Sequence, residues 1–281
     1  LCSYVPVVLG AIIITFLESR FPYMDLWRAN GADIRNDLTF MVVIQMMLPI
    51  FLNFFVAVTL LRFLAVWGIR LEAFWPHNWP VAIQVVVMLL VADFFRYWIH
   101  RLAHTNSILW KFHAVHHSPH KLYWVNVGRF HPVDKALQFL GDSLPFILLG
   151  VSEGVLALYF VFYAVNGFFQ HSNVEMRFGL LNYVISSAEL HRWHHSRKPV
   201  EANQNYGNNI IIWDILFGTY FLPKNREVND LGLHNRTYPQ DFKSQMKAPF
   251  SGNLDKHPDL LPDLRSFLLN TLLGIRIRIL V

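Results

Sequence analysis

The chain has 281 residues, of which 54% are hydrophobic and only 15% charged, against roughly 25% charged in an ordinary soluble domain, so a disordered or simple water-soluble protein is excluded. Its 14 histidines accompany one cysteine, Cys2, which excludes a disulfide framework, a thiolate zinc site and an iron–sulfur cluster, because each needs several thiols. A net charge of +5 on so apolar a chain fits a basic cytosolic face beside anionic lipid, and not a nucleic-acid partner.

Residues 4–17 are apolar but short, as in a clipped span or an interfacial helix, and lack the basic start and small-residue cleavage site of a signal peptide. Residues 38–61 contain no charged side chain and as a helix would reach about 36 Å, enough to cross a bilayer core of roughly 30 Å. Pro49 lies in the middle, leaving open a kinked span or a hairpin. A second span covers 79–99, uncharged from Trp79 to Ala92, with Asp93 and Arg96 in its last turns. Residues 135–171 form a mostly apolar run too long for one crossing and about right for two, broken at Gly150-Val-Ser-Glu-Gly154. Two crossings return the chain to the side it left, so the histidine-rich segments before and after the hairpin share a compartment. Arg101, Lys111, Lys121, Arg129 and Lys135 precede the hairpin, and Arg177, Arg192, Arg197 and Lys198 follow it, which places both segments in the cytosol. Beyond His171 the composition turns more polar, and the tail 264–281 is apolar with interspersed arginines. The expected fold is all-α: one domain over 1–281, a multi-pass membrane helical bundle of four to five spans with a cytosolic helical cap.

His100-Arg-Leu-Ala-His104 places two imidazoles at i and i+4, on one helical face where the second span ends. His113-Ala-Val-His116-His117 supplies i, i+3 and i+4, and His191-Arg-Trp-His194-His195 repeats that spacing. Each triplet is expected by chance about 0.03 times in a chain of this histidine content, so the repetition points to metal binding. Eight imidazoles are twice what one tetrahedral ion accepts. His171, at a membrane exit, and His131, in Asn126-Val-Gly-Arg129-Phe-His131-Pro132, bring the set to ten, about five donors for each of two metals with a position left for an exogenous ligand. His120 reads as a bystander, and His77, His234 and His257 lie in loops away from the cluster. A ligating imidazole needs an acceptor on its other ring nitrogen. Asp93, Asp134, Glu189 and Asp214 are the available carboxylates, of which Asp93 and Asp214 are the expected acceptors. Tyr97, Trp124, Asn126 and Arg129 are candidates for the pocket mouth.

The boxes HRLAH, HAVHH and HRWHH, with NVGRFHP between and NYGNNIIIWDILFGT after, resemble the fatty acid hydroxylase or sterol desaturase superfamily of integral-membrane non-haem di-iron enzymes. The likeness covers 93–220. It implies two iron ions, replaceable by zinc on purification, ligated almost wholly by histidine, with dioxygen as oxidant and an aliphatic membrane lipid as substrate. Carried over by motif, the ligands are His100, His104, His113, His116, His117, His171, His191, His194 and His195. Acyl 2-hydroxylases of the superfamily carry a further histidine four residues before the position of His171, where this chain has Gly167. His131, in an RxHP element typical of the sterol desaturase branch, is the candidate to fill that vacancy.

An unactivated methylene yields to no side-chain acid, base or nucleophile, so redox metal chemistry is required. Hydroxylation and desaturation then differ by substrate placement. The chain has no HPGG haem motif and no GxGxxG fingerprint, so electrons must come from a separate ferredoxin, b-type cytochrome or reduced pterin. A membrane zinc hydrolase is the rival of a different class, but HExxH is absent and half the histidines would go unused.

Overall fold

The computed structural model describes residues 3–252, and every regular element in that range is helical; extended pairing is limited to isolated bridges such as Ile185 with Ile210. The tail 264–281 and His257 lie outside the described residues. Helix α1 (Tyr4–Arg20) turns Val5, Val8, Ile12 and Phe16 outward and packs through Gly10 on Val165. At 17 residues it falls short of the roughly 20 needed to cross a bilayer.

Helix α2 (Gly31–Val66) runs unbroken for 36 residues, well beyond 38–61 at both ends. Asn30 starts it with a capping box, accepting from the Asp33 amide while Asp33 accepts from the Asn30 amide. Pro49 neither breaks it nor turns it back. Two π-helical stretches, Met41–Met47 and Asn53–Ala57, flank the proline, and wide-turn bonds such as Leu48 N–H to Val43 O absorb the disruption of a residue without an N–H. Only 11% of its apolar window is buried, so this helix is not the core of a soluble fold.

Helix α3 (Val81–Thr105) is the second helix long and apolar enough to cross a bilayer among the described residues. It buries Gln84, Met88, Ala92 and Arg96 along one ridge and Asp93, Tyr97 and His104 along the next, the i, i+4 spacing of an inward stripe. Asn106 ends α3 and caps α4 (Ser107–His117), its side chain accepting from the amides of Ile108 and Leu109.

The hairpin expected over 135–171 is present, with one arm interrupted and the other continuous. The descending arm consists of α5 (Pro132–Asp142) and α6 (Leu144–Leu148), interrupted at Ser143; Gly150, with φ +66, makes the turn; α7 (Glu153–His171) returns over 19 residues. Gly141 brings α5 onto α3, since a Cβ there would lie 2.4 Å from Ile99 Cδ1. A buried ion pair, Arg96 with Asp142 at 3.2 Å, joins the same two helices. Beneath it Trp75, Met88, Phe146 and Tyr159 form an apolar core. Two short helices complete the histidine-bearing frame, α8 (Ala188–His194) and α9 (Ile212–Phe217).

Candidate metal centre

Nine histidines converge from α3, α4, the end of α7 and α8. They form two groups, His100, His104, His113, His117 and His194 in one, and His116, His171, His191 and His195 in the other, with the candidate ligand atoms of each group within 4.8 Å of one another. The sequence spacing explains the division. In His113-Ala-Val-His116-His117 the i, i+4 pair faces the first group and His116 the second; in His191-Arg-Trp-His194-His195 the i, i+4 pair faces the second group and His194 the first. Each triplet thus straddles both groups, and the rings of His117 and His195 stack at 4.4 Å across the shared wall.

Six of the nine rings are held from outside through Nδ1, while Nδ1 of His191 and of His195 is buried with no hydrogen-bond partner. Nδ1 of His100 faces Tyr206 O at 2.8 Å, that of His104 faces Asn203 Oδ1 at 3.1 Å, that of His113 faces Asp134 Oδ2 at 2.8 Å, and that of His194 faces Gln204 O at 2.8 Å. In the second group, Nδ1 of His116 faces Arg129 O at 3.3 Å and that of His171 faces Asn126 Oδ1 at 2.9 Å. Each of these acceptors makes its ring an Nδ1–H tautomer and leaves Nε2 as an inward lone pair.

The inner nitrogens are those a metal would use. Nε2 of His100, His113 and His194 is buried with no hydrogen-bond partner. Elsewhere two Nε2 atoms face each other, at 3.1 Å for His104 and His117 and at 3.0 Å for His171 with His191 and His191 with His195. Where both facing rings carry their proton on Nδ1, the two lone pairs in this buried site repel unless a cation lies between them. Such spacings leave room for an ion bonded to both nitrogens at about 2.1 Å. The residues therefore fit metal ions with positions to spare. Burial, followed by the neighbouring imidazoles, holds His116, His117, His191 and His195 well below the usual histidine pKa, and burial pushes His194 down to about 3. All are neutral at pH 7.

His131 is not brought to either group. Its Nδ1 accepts from Val133 N at 3.2 Å, capping α5, and its Nε2 lies 3.4 Å from Met246 O. Pro132 at the first helical position explains this: the residue before it is extended and sits at the N-cap. The Gly167 position is likewise not filled from there. Nor do the two expected carboxylates touch a ring. Asp93 accepts from the Asn209 and Ile210 amides and from Asn209 Nδ2. Asp214 accepts from the Tyr206 and Gly207 amides and from Thr219 Oγ1, one step behind the carbonyl that faces His100. The carboxylate on a ring is Asp134. Gly207 is required here, because a Cβ would lie 2.5 Å from Ile210 O.

Of the residues expected at the pocket mouth, Asn126 and Arg129 belong to the ligand scaffold. Arg129 also pairs through its side chain with buried Asp37 of α2, which Tyr123 OH contacts too, tying this long apolar helix to the carbonyl behind His116. Trp124 packs on Phe168 at 5.0 Å, and Tyr97 bonds Thr219 Oγ1 at 3.0 Å. His120 is outside both groups, and His77 bonds Glu72 O at 3.0 Å.

Comparison with known proteins agrees with this site. The fatty acid hydroxylase family model matches residues 85–219, which hold all nine grouped histidines. The ornithine lipid hydroxylase OlsE of Rhizobium tropici is 37% identical over 243 residues, covering 85% of this chain and 72% of that protein. The alkylglycerol monooxygenase of Xenopus tropicalis is 31% identical over 53% of this chain but only 32% of its own length. A Delta(7)-sterol 5(6)-desaturase of Aspergillus fumigatus, erg3B, is 31% identical over 53% of this chain and 42% of its own. No solved structure matches. These relatives are hydroxylases, monooxygenases and desaturases, which leaves no place for the hydrolase alternative. From its histidine boxes, their converged rings and these likenesses together, the chain belongs to the fatty acid hydroxylase family of oxidoreductases.

Proposed function

We propose that this chain is a multi-pass membrane monooxygenase that uses dioxygen to hydroxylate an aliphatic C–H bond of a membrane lipid at two iron ions. His100, His104, His113, His117 and His194 would hold one ion, and His116, His171, His191 and His195 the other. The observation that carries this reading is the division of the nine rings into two adjoining groups, in which the inner Nε2 atoms of His100, His113 and His194 have no partner and those of His104, His117, His171, His191 and His195 face only one another. Neutral imidazoles suit iron, and five and four donors leave room for an exogenous ligand. Bound iron would supply the dioxygen reduction that an unactivated C–H bond demands, with electrons from a separate ferredoxin, b-type cytochrome or reduced pterin.

The chain's own residues set the conditions for that chemistry. Outer acceptors such as Asp134 and Asn126 hold the rings in one tautomer, and burial of the rings keeps water away. An apolar groove of about 220 Å³, lined by Val43, Ile44, Met47, Leu48, Phe51 and Pro132, opens toward lipid between α2 and the start of α5. Phe130, packed in one cluster with Ile44, stacks on His116 at 4.0 Å. An acyl chain entering there would approach the second group over the face of Phe130. A cytosolic site is supported by the basic residues flanking the hairpin and by its return to the side it left. Hydroxylation is preferred to desaturation because the relative matched over 72% of its length is named a hydroxylase.

The test is a lipid extract from cells expressing the wild type or His194→Ala, grown under isotopic dioxygen. The expected result is one lipid class that gains a single labelled oxygen atom only with the intact site. Loss of two hydrogens without label would reassign the reaction to desaturation, and no difference in any lipid class would overturn the enzyme reading.

A further inference from the structure

An apolar surface lies on the part of the chain that the sequence assigns to a water-facing cap. Leu180, Leu181, Tyr183, Val184 and Leu216 are each more than half exposed. They belong to two segments, the 3-10 turn Gly179–Tyr183 and α9, joined by Ile211 N–H to Val184 O at 3.2 Å and by the stacked rings of Tyr183 and Tyr220 at 5.4 Å. No exposed charge interrupts these segments, because the acid in α9, Asp214, is fully buried. A contiguous apolar face of this kind marks an interaction surface.

Its depth identifies the partner. Trp213 of α9 donates its indole N–H to Leu90 O of α3 at 3.2 Å, and its ring lies 5.0 Å from Phe94. Leu90 falls in the uncharged stretch of α3, about 15 Å along the axis from His100. At that level α3 itself presents Leu90, Val91 and Phe95 outward, residues that in a spanning helix meet acyl chains. A partly buried tryptophan whose N–H bonds a helix carbonyl is also suited to surroundings without water.

We propose that the Gly179–Tyr183 turn and α9 dip into the bilayer as a re-entrant wedge beside α3, with lipid acyl chains as the partner. This rests on the membrane reading of α3. The wedge is connected to the site through Asp214, which accepts from the amides of Tyr206 and Gly207. The loop 203–206 in turn supplies the acceptors for His104, His194 and His100. The bilayer therefore holds the scaffold behind three ligand rings, and the site is set at a fixed height over the lipid it acts on.

The test uses the full chain with Cys2→Ser, which removes the single native thiol. Single cysteines at Leu180, Leu216, Val86 and Thr237 carry a bimane fluorophore in phosphatidylcholine vesicles with brominated acyl chains. Val86 lies on the exposed face of α3 and Thr237 in an exposed polar loop. The expected result is quenching at Leu180 and Leu216 of at least half that at Val86, and several-fold above that at Thr237. Quenching at Val86 with Leu180 and Leu216 behaving like Thr237 would overturn the wedge while leaving the membrane reading intact, as would a protein partner covering the patch. Absence of quenching at Val86 would overturn the membrane reading, and the wedge with it.

Discussion

At His113 the ring nitrogen that faces outward meets a carboxylate, Asp134 Oδ2 at 2.8 Å, and Gln138 Nε2 holds the other carboxylate oxygen at 3.0 Å. Asp134→Asn would leave the fold in place and present an amide that matches the imidazole poorly. Loss of such an outer partner typically lowers metal affinity or activity by about 10- to 100-fold, to be read as metal retained after dialysis against a chelator together with lipid turnover. Gly207→Ala acts differently, by steric conflict with Ile210 O behind the His100 acceptor. A thermal melt should show a loss of about 2 kcal/mol or more, and an unchanged melting temperature would refute the close approach. The clustering of these rings was legible because 3.6-residue periodicity puts i and i+4 on one face, whatever the fold. Their acceptors were not, since Tyr206 O, Gln204 O and Arg129 O are backbone groups that every residue possesses and only tertiary structure delivers. Asp93 lies two turns before His100 on the same side of α3, yet its oxygens go to the Asn209 and Ile210 amides, and nothing local in the sequence announces them. The cap role of His131 did have a signal, the proline that follows it.

Single elements carry the ligands only if they start and stop in register. Asn106 separates α3 from α4 and so turns His113 and His117 toward His100 and His104. Asn106→Ala should cost about 1 kcal/mol in denaturant unfolding, the usual worth of an N-cap. The pair between Asp37 of α2 and Arg129 is fully buried, and removing one partner strands the other charge. Asp37→Ala is therefore expected to destabilise by about 3–5 kcal/mol, and an effect below about 1 kcal/mol would show that α2 is not fastened there. For α2 the apolar run identified the helix, but Pro49 read as a kink or a reversal because π-helical turns leave no trace in hydrophobic pattern. The hairpin 135–171 was legible from its Gly-containing break, and the interruption at Ser143 from Pro145, which stands in the first turn of the next helix and has no N–H to continue the one before.

For the whole molecule, the clustering of neutral imidazoles makes stability depend on acid. Burial depresses the pKa of His116, His117, His191, His194 and His195 in the fold, while in the unfolded chain a histidine titrates near 6.5. Below that value the unfolded state binds more protons, so stability is full above about pH 6.5 and falls as the pH drops toward the folded values. Each strongly shifted histidine contributes up to about 1.4 kcal/mol per pH unit. The metal-free protein should lose stability steeply between about pH 6.5 and 5, with metal shifting the loss to lower pH. A flat profile for the metal-free form would mean that these rings are solvated. The composition and the two long apolar helices foretold a membrane protein, but the exposed face on α9 was hidden because its hydrophobic residues read equally as core.

Whether two ions occupy the two histidine groups is decided most directly by anomalous diffraction at the iron edge from crystals of the iron-loaded protein. Two peaks are expected, one among His100, His104, His113, His117 and His194, the other among His116, His171, His191 and His195. A single peak, or none within reach of these rings, would contradict the di-iron assignment.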